Sequence, residues 1–201
     1  MDRVITGEDS WLIQYNPETK HQSLEWRSEG SSRPKKTRMS KLEVKYMIVC
    51  FFDSVGVVHK ECVPAGQAVN QYYYTEILER PRERVTRVGR NIAQNWIHHQ
   101  DNEPAQAALS VAHFLTSKCI TVTPQPPYSP DLAPCYLFLF QKVKSAVKGH
   151  HFESTENIQT ALDVIPQSAF QECYKLWQHR WKRCVQAQRV CSEGDHIVDD
   201  E

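Results

Sequence analysis

No run of about eighteen or more apolar residues occurs in the chain, which excludes a membrane-spanning helix. The start, Met1-Asp2-Arg3-Val4-Ile5, has no basic segment leading into an apolar one, so a secretory leader is not expected. The seven cysteines include no C-x-x-C pair, and no His-x3-5-His spacing accompanies them, which argues against structural zinc. Their odd number fits reduced thiols in an intracellular protein better than a disulfide framework. Net charge is absent too, with 24 basic against 24 acidic side chains. With 40% hydrophobic residues in 201, the expectation is a soluble globular chain of one ordinary domain and a short tail.

The zero balance hides a polarity. Residues 192–201 hold Glu193, Asp195, Asp199, Asp200 and Glu201 without a Lys or Arg, so the rest of the chain is five charges positive. That tail reads as disordered. Arg33, Lys35, Lys36, Arg38, Lys41 and Lys45 form the densest basic stretch, offset by Glu43 alone. Such a stretch can neutralise phosphates and release counterions. It also suits a solvated loop or a nuclear-import signal, and composition leaves these three open.

Hydrophobic patterning predicts an alternating order. Residues 2–15 read as a strand, with a second short one over Gln22–Trp26, then a Gly/Ser/Pro-rich basic connector over 28–40. Tyr46–Phe52 is continuously apolar and β-branched or aromatic, as in a strand covered on both faces. Asp53–Gly56 turns into a strand over 57–63. Helical spacing follows over 70–87, where Pro81 should kink or split the helix. A strand over 95–99, a helix over 105–118 and a strand over 120–123 come next. Five prolines in 124–134 forbid a helix or central strand there. Helices over 136–148, 154–165 and 166–189 close the chain. The adjacent His98 and His99 should point to opposite faces and share no metal. Trp177 and Trp181 should anchor the core from the last helix, with Arg180, Lys182 and Arg183 on its solvated side. The order suggests a mixed sheet with helices on both faces, an RNase H-like α/β fold.

Four segments then make the pattern specific. They are Ile5-Thr6-Gly7-Glu8-Asp9-Ser10-Trp11 with Tyr15–Lys20, and Val58-His59-Lys60-Glu61 with Val63–Gln67. The others are Trp96-Ile97-His98-His99-Gln100-Asp101-Asn102 and Pro127-Tyr128-Ser129-Pro130-Asp131-Leu132-Ala133-Pro134-Cys135. Together, and in this order, they resemble the catalytic domain of mariner-type transposases over nearly the whole chain. The resemblance implies an RNase H-like domain over 1–191, with 28–40 as a clamp-like basic loop and 192–201 as an acidic tail. It implies an ancestral activity of Mg²⁺-dependent DNA cleavage and strand transfer, the DNA as partner, a homodimer, and the nucleus as location. No membrane or small-molecule substrate is implied. Family members place two helix-turn-helix modules ahead of this domain, and the chain is expected to lack them.

The resemblance also implies a metal site of three carboxylates, since Mg²⁺ prefers oxygen ligands and two such ions activate the attacking and leaving oxygens. The first acid corresponds to Glu8, where the family has Asp, and the neighbouring Asp9 would need a bulge or slip to replace it. The second corresponds to Asp101; read without the resemblance, that residue is as well explained as a helix cap. The third lies thirty-four intervening residues further on, which lands on Tyr136. A phenol stays protonated at neutral pH and is a poor Mg²⁺ ligand. Glu8 and Asp101 are therefore the expected metal ligands, with Tyr136 an incompetent third member and cleavage impaired. Arg33, Lys35, Lys36 and Arg38 are the expected nucleic-acid contacts, weak and unspecific. The alternatives are a retained nucleic-acid or protein-binding module and a remnant without a selected role.

Overall fold

The computed structural model describes residues 3–13, 45–88, 96–123, 125–146 and 155–187. The strand expected at Gln22–Trp26, the basic segment 28–40 and the acidic tail 192–201 lie outside the described residues. Strands β1 (Val4–Ile13), β2 (Lys45–Phe52) and β3 (Val57–Val63) come first, followed by helix α1 (Gln71–Val88). Strand β4 (Ile97–His99), helix α2 (Leu109–Ser117) and strand β5 (Thr121–Thr123) follow. Helices α3 (Phe140–Ala146), α4 (Thr155–Asp163) and α5 (Gln167–Ala187) end the described chain.

The strands form one mixed sheet in the order β3-β2-β1-β4-β5. β1, β2 and β3 pair antiparallel as a meander, with Ile13 opposite Lys45 and Thr6 opposite Phe52. β4 joins β1 in parallel, Thr6 beside His99, and β5 joins β4 in parallel. The meander arises because Asp53 closes the β2–β3 turn: its Oδ1 accepts from the Val55 and Gly56 N–H groups at 2.8 and 3.0 Å.

Alternation along β1 divides the molecule into two layers. Val4 and Leu12 pack with Ile48, Cys50 and Phe52 beneath Leu139, just ahead of α3, and Phe140, Leu162, Phe170 and Trp177 of α3, α4 and α5. Ile5 packs on the other face with Val49 and Phe51 beneath Tyr74, Ile77, Leu78, Val111 and Leu115 of α1 and α2. Thr6, Glu8 and Ser10 share the first face, Gly7 and Asp9 the second. The continuous apolar run in β2 thus serves two cores at once. Gly7 is required by closeness: a Cβ there would overlap the ring of Phe51, its register partner.

α1 departs from expectation, since it runs unbroken through Pro81. Asn70 caps its start, its Oδ1 accepting from the Tyr72 and Tyr73 N–H groups at 3.1 and 3.0 Å. Burial of Ile77, Leu78 and Val85 on both sides of the proline holds the helix together. Of the three consecutive tyrosines, Tyr74 is buried, Tyr73 half-buried and Tyr72 exposed. Cys50, Cys62, Cys119, Cys135 and Cys173 are free thiols, whereas Cys184 is disulfide-bonded, contrary to the expectation of reduced cysteines throughout.

Candidate active site

The three positions singled out in the sequence come from three elements. Glu8 sits at the middle of β1, the central strand, paired with Cys50 of β2. Asp101 lies just beyond β4, where the parallel pairing with β1 ends. Tyr136 lies in a π-helical turn, Cys135–Leu139, which leads into α3. Single π turns widen a helix by one residue and recur at functional sites. Here the turn seats Cys135 in the core, its Sγ 3.8 Å from the Thr6 hydroxyl, and leaves Tyr136 half-buried against Phe140.

Charge links the three. Glu8 is 1% exposed. Burial first, then repulsion from Asp101 and Asp9, drive its carboxyl well above the usual range, while hydrogen bonds from the Gln106 side chain and the Asp101 backbone offset part of that. One carboxyl oxygen, Oε1, has no hydrogen-bond partner. Asp9 is raised as well, chiefly by burial. Glu103 is raised by burial and by Asp9 and Asp101. The Tyr136 phenol is pushed up by burial and then by Glu8, Asp101, Asp9 and Glu103 in turn. Electrostatic influence thus links the two acids and the tyrosine, and reaches Asp9 and Glu103 as well.

Glu8 and Asp9 do not compete for one place. The alternation that puts Glu8 on the α3–α5 face puts Asp9 on the α1–α2 face, where its Oδ1 accepts from Gln106 Nε2 at 3.2 Å. A chain of buried amides and rings continues from there. Gln100 Nε2 donates to the Gln106 carbonyl at 3.0 Å, and the Tyr74 hydroxyl lies 3.4 Å from both Gln100 Oε1 and His98 Nε2. His98 and His99 part to opposite faces as expected, His98 toward Phe51 and Trp96, His99 toward Thr6 and Trp177. Both are neutral, burial taking each down to about 4. Asn102 bonds outward, donating to the Gln125 carbonyl at 2.7 Å and so tying the end of β4 to the proline-rich loop. Gln106, Tyr74 and Gln125 carry no motif, and only their burial reveals them.

This donor set does not fit a two-metal centre. Among the described residues no group of three or more His, Cys, Asp or Glu side chains is arranged to hold a metal ion. Tyr136 keeps its phenol proton, and Glu8 is buried with its proton favoured. The basic residues Arg33, Lys35, Lys36 and Arg38 lie outside the described residues.

A central strand carrying an acid, flanked antiparallel by a meander and parallel by a strand ending at a second acid, with helices on both faces, defines an RNase H-like fold. The comparisons make it more particular. Residues 16–94 match the family described as transposase (partial DDE domain). The mariner Mos1 transposase of Drosophila mauritiana is 28% identical over 98% of this chain and 57% of its own length. Among solved structures, the mariner Mos1 paired-end complex with Mg superposes with a TM-score of 0.81, at 27% identity over 95% of this chain and 57% of that one. The Mos1 paired-end complex with the left transposon end gives 0.79, at 26% identity over 92% and 55%. The chain is thus similar to the catalytic domain of mariner-type transposases over nearly its whole length. It spans a little over half the length of the Mos1 relative.

Proposed function

We propose that the chain is a transposase-derived domain in which Mg²⁺-dependent DNA cleavage is impaired and contact with nucleic acid is retained. The observation that carries this reading is Tyr136. By the resemblance it takes the place of a third carboxylate, and its burial, then the charges of Glu8 and Asp101, keep it protonated. A protonated phenol supplies no charge to a hard cation. Glu8 and Asp101 alone would hold one such ion weakly. Structures of the Mos1 relative with Mg and with its transposon end make divalent metal and DNA the chemistry from which this site descends. The nuclear location and a dimer of such domains belong to the same reading.

Nicking of supercoiled plasmid tests it. Wild type is expected to be silent in Mg²⁺, Tyr136→Asp to gain metal binding by calorimetry, and Glu8→Asp plus Tyr136→Asp to gain nicking. Robust Mg²⁺-dependent nicking by wild type, abolished in Asp101→Ala, would overturn it. Retained contact predicts binding of labelled DNA that weakens steeply with salt, through Arg33, Lys35, Lys36 and Arg38.

A further inference from the structure

The proline-rich loop after β5 ends in an unusual side chain. Tyr128 is 100% exposed, the most exposed large ring in the described chain. Its backbone is left-handed, at φ 56°. A residue with a Cβ adopts that conformation only when its surroundings impose it. Exposure of an aromatic ring to water has no stabilising counterpart within the domain.

The surroundings do impose it. Gln125 is buried and its Nε2 donates to the Ser129 carbonyl at 3.2 Å, closing the loop over Tyr128. The Ser129 hydroxyl, also buried, donates to the Pro127 carbonyl at 3.2 Å. Trp177 Nε1 of α5 donates to the Leu132 carbonyl at 2.7 Å. From one turn further along the same helix, Arg180 Nη1 reaches the Asp131 carbonyl at 3.5 Å. Asn102, next to Asp101, holds the loop's other end. The exposed ring is thus held on a loop whose base is tied to Asn102, next to Asp101, and which Arg180 of α5 reaches at Asp131. An exposed ring and a cation on one surface are the pairing that stacks a base and meets its phosphate.

We propose that Tyr128 is a nucleobase-stacking residue, taking an unpaired nucleotide on its exposed ring while Arg180, which reaches the same loop, contacts the adjoining phosphate. The inference rests on the retained nucleic-acid contact argued above, and specifies which strand form is preferred and where. A base held in a duplex has no free face for the ring, so single strands are favoured over duplex.

Fluorescence anisotropy of the full chain with a labelled dT20 strand and with the matching duplex, at low salt, tests it. Wild type is expected to bind the single strand more tightly than the duplex. Tyr128→Ala should lose about tenfold on the single strand and little on the duplex, and Tyr128→Phe should keep the wild-type affinity. Arg180→Gln should weaken both and flatten the salt dependence. Tyr128→Gly should lose binding while melting no lower than wild type, since glycine accepts the left-handed conformation. Wild-type affinity in Tyr128→Ala, with DNA still bound, overturns the stacking role alone. A wild type that binds neither strand form overturns the retained contact as well.

Discussion

Gly7 and Glu8 are neighbours in β1 with opposite demands. Gly7 is small because Phe51 lies across it, and the Phe51 ring in turn packs 5.9 Å from the His98 ring. Gly7→Ala must move that ring or the strand, and overpacking of this kind costs about 1–3 kcal/mol. Chemical denaturation is expected to show a loss of that size with an unchanged m-value; a stability equal to wild type would contradict the packing. Glu8 faces the other layer and is uncomfortable for electrical reasons: desolvated, repelled by Asp101 and Asp9, and short of one hydrogen-bond partner. Much of this was legible. The strand read over residues 2–15 already sets Glu8 and Asp9 on opposite faces. It could not show that Gln106 would engage Asp9, because that contact joins residues 97 positions apart. No periodicity or motif announces a buried glutamine.

At the level of elements, strands were easier to read than helix ends. The β2 run was visible because burial on both faces removes every polar residue from it. α2 begins at Leu109 and not near Ala105, since residues 103–107 are spent on a turn in which the Gln106 and Ala107 N–H groups bond the Glu103 carbonyl. The π turn at Cys135–Leu139 was invisible, its sequence reading as ordinary helix. α1 survives Pro81 because packing outweighs a propensity loss of about 3 kcal/mol. α2 ends in a left-handed closure: Cys119 has φ 57°, and the Ile120 N–H bonds the Leu115 carbonyl at 2.9 Å. That is the place where helices prefer glycine. Cys119→Gly is expected to stabilise the domain by about 1 kcal/mol, read as a higher melting temperature. A lower one would show that the thiol contributes more than its backbone costs.

For the molecule as a whole, acid and base act on the fold in opposite senses. His98 and His99 titrate near 4 when folded and near 6.5 when free, so the unfolded chain takes up protons first. Their contribution to stability is whole above about pH 6.5 and is lost as the pH falls toward 4. His99→Gln should therefore lose less stability than wild type between pH 6.5 and 4, by ~3 kcal/mol. Parallel melting curves for the two proteins would refute the burial argument. Glu8 runs the other way: its folded value is raised, so its contribution is whole below about 4.5 and declines as the pH rises. Glu8→Gln should raise the melting temperature at pH 7, with the gain fading at acid pH.

The pairing of Ile13 with Lys45 has a consequence for how such a chain can change. The sheet brings both ends of segment 14–44 together, whatever that segment contains. Closing a loop costs only about 0.6 kcal/mol more for each doubling of its length. A change in the length of chain between these two strands is thus a change in closure entropy and not in their register, so it can accumulate while the meander persists.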